Sequence, residues 1–94
     1  MTYKLRFHEL ALSEWKKLDN SVREPLKSKL AERLINPHIS SAKLSGMENC
    51  YKIKLFQQGY RLVYRVDEDT VYVTVIAVGK RDKLKIYHTA KSRI

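Results

Sequence analysis

The stretch Cys50-Tyr51-Lys52-Ile53-Lys54-Leu55-Phe56 decides the fold, together with the turn Gln57-Gln58-Gly59 and the run Tyr60-Arg61-Leu62-Val63-Tyr64-Arg65-Val66 behind it. From Tyr51 to Leu55 apolar and cationic residues alternate with a period of two, the period of a strand that buries one face. Tyr51, Ile53 and Leu55 then enter a core, and Lys52 and Lys54 stand side by side on the opposite face. The second run alternates likewise: Leu62, Tyr64 and Val66 share one face, while Arg61, Val63 and Arg65 share the other. A short glycine-containing turn between two such runs predicts a hairpin. That hairpin brings Arg61 beside Lys54 or Lys52.

The reading extends outward from there. Asp67-Glu68-Asp69 is an acidic turn. Val71–Val78 is apolar at nearly every position, as in a central strand covered on both faces, and Gly79 is expected to end it. Upstream, Tyr3, Leu5 and Phe7 alternate with Lys4 and Arg6 and predict a first strand. From Glu9 to Leu18 the period becomes helical, with Ala11 or Leu12, Trp15 and Leu18 on one face. Asp19-Asn20-Ser21 breaks this helix, and Ser21 with Glu24 predicts a capping box for the next. Leu26, Leu30 and Leu34 mark its buried stripe. Pro25 is close enough to the helix start to cost little, and Asn36-Pro37 ends the helix. Residues 38–49 read as a loop, Lys80-Arg81-Asp82-Lys83 as a charged connection, and Leu84 onward as a short terminal helix.

The order β-α-α-β-β-β-α makes an α+β domain spanning 1–94, a compact unit with a mainly antiparallel sheet. An N-terminal helix hairpin lies on one face, and the helices are expected to pack on that face. Lys52, Lys54 and Arg61 belong on the other, since under the hairpin they would be buried cations with no evident carboxylate partner. Arg81 and Tyr87 can reach that same face.

The 94 residues carry 19 basic and 10 acidic side chains, a net charge of +9, and most of the excess lies after residue 50. A clustered cationic surface suits nucleic acid, because each phosphate contact releases condensed counterions. The alternatives are a solvated basic surface kept for solubility and an acidic protein partner. Cys50 is the sole cysteine, which excludes an internal disulfide and fits a reducing compartment; it reads as a buried strand residue. No run of about 18 apolar residues suggests a membrane span, and the alternating start does not resemble a signal peptide. A cytoplasmic location is expected, with no membrane partner.

Most catalytic chemistries lack their residues. His8, His38 and His88 are too scattered for a metal motif, so no metal or other cofactor is expected. Cys50 has no histidine base in view, three glycines cannot build a phosphate-cradling loop, and the carboxylates fall on helix exteriors and in the 67–69 turn. A cationic set can still cut RNA through attack of a 2′-hydroxyl on the adjacent phosphate. That reaction needs a base, positive charge on the phosphate oxygens, and help for the leaving 5′-oxygen. Lys52, Lys54, Arg61, Arg81 and Tyr87 are the candidate catalytic residues. Crowded cations favour a neutral lysine and an ionised tyrosine, either of which can serve as base. Arginines serve as electrostatic clamps, and Tyr87 can also stack on a base. Arg65, Lys80 and Lys83 are further candidate RNA contacts. A binding patch without cleavage uses the same residues, and the residues alone leave the two readings open.

The tracts Leu12-Ser13-Glu14-Trp15-Lys16-Lys17-Leu18, Val22-Arg23-Glu24, Lys43-Leu44-Ser45-Gly46, Cys50–Leu55, Gly59-Tyr60-Arg61-Leu62-Val63-Tyr64 and Val78-Gly79-Lys80-Arg81 resemble the RelE toxins of bacterial toxin–antitoxin systems, in the wider RelE/ParE superfamily. The five candidate catalytic residues match the RelE active-site positions one by one. The ParE-like branch, which poisons DNA gyrase, shares the fold and lacks this set. The resemblance implies a metal-independent mRNA endonuclease that cuts codons in the A site of the 70S ribosome. Lys52 and Lys54 would handle the 2′-hydroxyl and phosphate, with Lys54 or Tyr87 as base. Arg61 would stabilise the transition state, Arg81 assist the leaving oxygen, and Tyr87 stack on the codon. In close relatives the loop containing Ser45 often carries an extra basic residue; Ser45 is neutral, so that ribosomal RNA contact is either missing or replaced by Lys43, the candidate here. The resemblance also implies a RelB-like antitoxin that wraps the toxin, and a joint complex that represses the operon through operator DNA. A gyrase-directed, non-cleaving toxin is the alternative.

Overall fold

The computed structural model describes residues 2–80 and 85–94. The expected strand and helix order is present. β1 (Lys4–Phe7) leads into α1 (Glu9–Lys16) and α2 (Asn20–Ile35), and a 3-10 turn (Ser40–Ala42) precedes β2 (Cys50–Leu55), β3 (Tyr60–Asp67), β4 (Tyr72–Lys80) and α3 (Lys85–Ser92). The sheet order is β1-β4-β3-β2, with β1 parallel to β4 and the other two pairings antiparallel. The continuous apolar run of β4 is explained by this order: β4 is an inner strand, and Val73 to Val78 are all buried.

α1 and α2 cover one face. Ala11, Val22, Leu26 and Leu30 pack there against Tyr51, Ile53, Leu55, Leu62, Tyr64, Val66, Val73, Val75 and Val78. Between the two helical candidates in the first turn, Ala11 is the buried one and Leu12 is exposed. Three local expectations are corrected. The cap of α2 is Asp19 rather than Ser21: its carboxylate accepts from the Ser21 N–H at 3.2 Å and from the Ser21 hydroxyl. An anion at a helix start is favoured by the helix dipole, and hydrogen bonds from Ser21 hold the Asp19 carboxyl below its ordinary range. Gly79 does not end β4, because it pairs with Arg61 inside the β3–β4 ladder.

The third correction concerns the helices. α3 lies on the other face of the sheet, where Ile86 and Ala90 pack with Met47, Cys50, Val63, Ile76 and Ala77. A bulge in β4 makes this possible. The register shifts between Val63 and Tyr64, so Val63 pairs with Ala77 and Tyr64 with Val75, and Ile76 is the extra residue. Ile76 and Ala77 both join the α3 side, and β4 gains a second apolar surface for α3.

β1 pairs with β4 only as far as Val75, where the His8 N–H closes the edge by donating to the Val75 carbonyl at 2.8 Å. Beyond that point side chains take over the role of a neighbouring strand. Glu14 of α1 accepts from the Val78 N–H at 3.2 Å. Arg93, just past α3, donates to the Ile76 carbonyl at 2.9 Å and to both oxygens of Glu14, each at 2.9 Å. Burial pushes the Glu14 carboxyl up, but the Arg93 guanidinium and the Val78 N–H together hold it below its ordinary value. One ion pair thus satisfies a sheet edge and ties α1 and α3 together.

Candidate functional site

Lys52 and Lys54 project from β2 on the α3 side of the sheet, opposite the core residues Tyr51, Ile53 and Leu55. Lys54 is the direct cross-strand partner of Arg61, and Arg61 is in turn the partner of Gly79. Directly opposed residues stand about 5 Å apart at Cβ, so the two cationic side chains share one patch. A Cβ on Gly79 would lie 3.6 Å from Ile86 Cδ1, which places α3 directly over this row. Lys52 pairs with Val63, next to the apolar contacts of α3.

β2 is held rigidly from the core side. The Tyr51 and Tyr64 rings stack at 5.5 Å between centroids. The Tyr64 hydroxyl donates to the Pro37 carbonyl at 2.7 Å and accepts from Arg33 at 2.9 Å, and Arg33 also donates to the Lys52 carbonyl at 3.2 Å. Tyr51 reaches His38 at 3.0 Å. The lysines therefore stand on a braced strand, and their backbone needs no reordering when an anion arrives. Sequence reading gave Arg33 no such role. Its pairing with Tyr64 and Lys52 depends on the fold, so no local signal exposes it.

Arg61 is the distinctive member of the patch. It is 5% exposed. Its guanidinium donates to the Tyr60 carbonyl at 3.0 Å and lies 5.5 Å from the Phe56 ring. Among the described residues, no carboxylate forms an ion pair with it. A buried cation without a counter-ion is costly by itself and attracts an anion strongly, since little water screens it. Phe56 also lies 5.6 Å from Lys54 Nζ.

Tyr87 sits on α3, half-buried, and packs against the cluster of Met47, Cys50, Val63 and Ile76 on the same face as the lysines. Lys43 is exposed, and its bridge with Tyr51 lays it against the outer edge of β2, beside Lys52. Lys80 is exposed at the end of β4 and pairs with Tyr60. Arg65 is on the same face but not with the others. Its partner is Cys50 at the far end of β2, and it donates to Asp67 at 2.9 Å. Four residues of strand, about 13 Å, separate it from Arg61. Arg81 and Lys83 lie outside the described residues.

Asp67 collects Arg65, Arg6 and Thr74 around one carboxylate. Burial raises its carboxyl, but the hydrogen bonds from Thr74 and Arg65 outweigh this and hold it below the ordinary range. Asp67 thus sits at one end of the sheet face, and Lys54 and Arg61 sit at the other.

Known proteins share the sequence and the fold of this chain. Residues 5–84 match the family described as the ParE toxin of the type II toxin–antitoxin system parDE. The mRNA interferase toxin RelE of Escherichia coli K12 is 54% identical over 94 residues, 100% of this chain and 99% of the relative. A RelE-like protein of Escherichia coli, described as a toxin, is 46% identical over the same span. Among solved structures, a doubly substituted E. coli RelE in the free state superposes with a TM-score of 0.92 at 53% identity, covering 100% of this chain and 99% of that one. RelE from the intact E. coli RelBE toxin–antitoxin complex superposes with a TM-score of 0.83 at 56% identity, covering 86% and 99%. The chain belongs to the ParE-toxin family of type II toxin–antitoxin systems and, within it, to the RelE toxins.

Proposed function

We propose that this chain is the toxin of a type II toxin–antitoxin system, acting as one RelE-like domain that cuts mRNA codons in the ribosomal A site. The observation that carries the reading is Arg61, a buried guanidinium with no carboxylate partner among the described residues, opposite Lys54 on a braced strand. Two cations side by side in this way suit a phosphate. In the reaction, the 2′-oxygen forms a bond to phosphorus and the bond from phosphorus to the 5′-oxygen breaks. A base takes the 2′-proton, the leaving 5′-oxygen gains a proton, and a cyclic phosphate remains. Lys52 and Lys54 act on the 2′-hydroxyl and the phosphate, with Lys54 or Tyr87 as base. Arg61 stabilises the charge on the phosphoryl oxygens, Arg81 assists departure of the 5′-oxygen, and Tyr87 stacks on the codon. Lys43 and Lys80 extend the cationic surface towards ribosomal RNA, and Lys83 is a further RNA contact. Arg65 is the weakest of these contacts, because Asp67 already holds it.

The partner proposed for the free toxin is a RelB-like antitoxin, by analogy with the E. coli RelBE complex. The joint complex would act on operator DNA, and both proteins would work in the cytoplasm. Among the described residues, no helix is long and apolar enough to cross a membrane.

Incubating the purified protein with programmed ribosomes and mapping RNA ends tests the reading. Cuts within the A-site codon are expected from the wild type. Arg61→Ala should lower kcat by at least about 100-fold, the usual effect of removing a transition-state oxyanion donor. Intact mRNA together with inhibited gyrase supercoiling would instead support the gyrase-directed, non-cleaving alternative.

A further inference from the structure

We propose that Phe56 is an RNA-binding residue that stacks on the mRNA base next to the phosphate held by Lys54 and Arg61. The inference rests on the reading above and adds a contact that the cationic set does not contain. Phe56 is 75% exposed, and among the described residues no large apolar side chain is more so. Its ring contributes little to the core, so packing does not explain it. Its position does. The period of two that carries Lys52 and Lys54 to one face carries Phe56 to that face as well. The ring lies 5.6 Å from Lys54 Nζ and 5.5 Å from Arg61 Cζ, bordering both cations.

The turn that presents Phe56 is fixed. Leu55 and Tyr60 form the last pair of the hairpin, and the Gly59 N–H donates back to the Leu55 carbonyl at 2.9 Å. Gly59 has φ +69°, a conformation glycine adopts without strain. Phe56 is thus held where the chain leaves β2, with the two cations over its ring and most of the side chain in solvent. An exposed aromatic ring beside phosphate-binding cations is the arrangement by which proteins grip single-stranded RNA: cations take the backbone and the ring takes a base.

Holding the Arg61 guanidinium in place is the competing role for the ring, and kinetics separate the two. Codon cleavage in programmed ribosomes is measured for the wild type, Phe56→Leu and Phe56→Tyr. Leucine keeps the apolar bulk and removes the π face. It should raise the half-saturating toxin concentration about 10-fold, within the range for loss of one stacked base. The turnover at saturation should stay within about twofold, and tyrosine should restore the wild-type value. On mRNA with an abasic nucleotide beside the scissile phosphate, the wild type and Phe56→Leu should become equal. Equal behaviour of the wild type and Phe56→Leu on intact mRNA overturns the proposal. So does a loss confined to turnover, a loss that tyrosine does not restore, or one that persists on the abasic mRNA. Absence of cleavage by the wild type counts against the endonuclease reading itself and removes this proposal with it.

Discussion

Replacing Glu14 by alanine should destabilise the protein far more than an exposed helix substitution. Glu14 accepts two hydrogen bonds from Arg93 and one from the Val78 N–H. The Arg93 side chain is 11% exposed and that of Glu14 31%. Breaking a buried ion pair by removing one partner costs about 3–5 kcal/mol. Partial exposure of Glu14 lets water replace some of the lost contacts, which lowers the expected cost to about 2–3 kcal/mol. For a domain this size that corresponds to a fall in Tm of roughly 10–20 °C. Urea unfolding at pH 7 gives the free energy, and a cycle with Arg93→Ala and the double variant isolates the coupling. Additive single effects, or a loss below about 0.5 kcal/mol for Glu14→Ala, would refute the assignment of this pair as the support of the β4 edge.

The pair also has a pH signature. The folded-state pKa of Glu14 lies below its ordinary value of 4.5. Its stabilisation is therefore fully present above that value and is lost as pH falls through the lowered one. The gap between the wild type and Glu14→Ala should close over the same interval.

Three further outcomes follow from particular residues. Val71 has φ +58°, in the left-handed region, so glycine at 71 should be more stable than alanine there by about 1 kcal/mol, the reverse of the usual order, as measured by thermal melts. Burial pushes the Cys50 thiol up despite the opposing pull of Arg65; a thiol-specific chromogenic reagent at pH 8 should leave the native protein unlabelled and react on unfolding in urea, and native-state labelling at the unfolded rate would contradict the placement. Tyr64→Phe removes a donor to the Pro37 carbonyl and an acceptor for Arg33, and should cost about 1–3 kcal/mol in urea unfolding, with no loss expected if that hydroxyl were solvated.

The hairpin was legible because its two strands obey one period and meet at a glycine turn, and the Lys54–Arg61 pairing follows from that register. The buried run of β4 was equally plain. The placement of α3 was not, because it depends on the bulge at Ile76. Where nearly every residue of a strand is apolar, alternation carries little information about which side a one-residue slip favours. The cap of α2 was misplaced by two residues because Asp19 and Ser21 are both good caps, and the competition is settled by the path of the chain. Arg65 was grouped with Arg61 because they share a face, but sharing a face fixes direction and not position along the strand. Asp67 then decides its company. Phe56 was readable by parity, since it is two residues on from Lys54. Its apolar character instead assigned it to the strand.

The pairing of β1 with β4 bears on how the molecule assembles. Lys4 meets Tyr72, and the whole helix hairpin and the β2–β3 hairpin lie between them in sequence. The β2–β3 unit closes over a four-residue turn and forms early, from local contacts alone. β4 can add to β3 next, and only then does β1 have a strand to lie against. The first strand of the chain is consequently the last to join the sheet. Its amides should gain protection from hydrogen exchange after those of β2 and β3 during refolding.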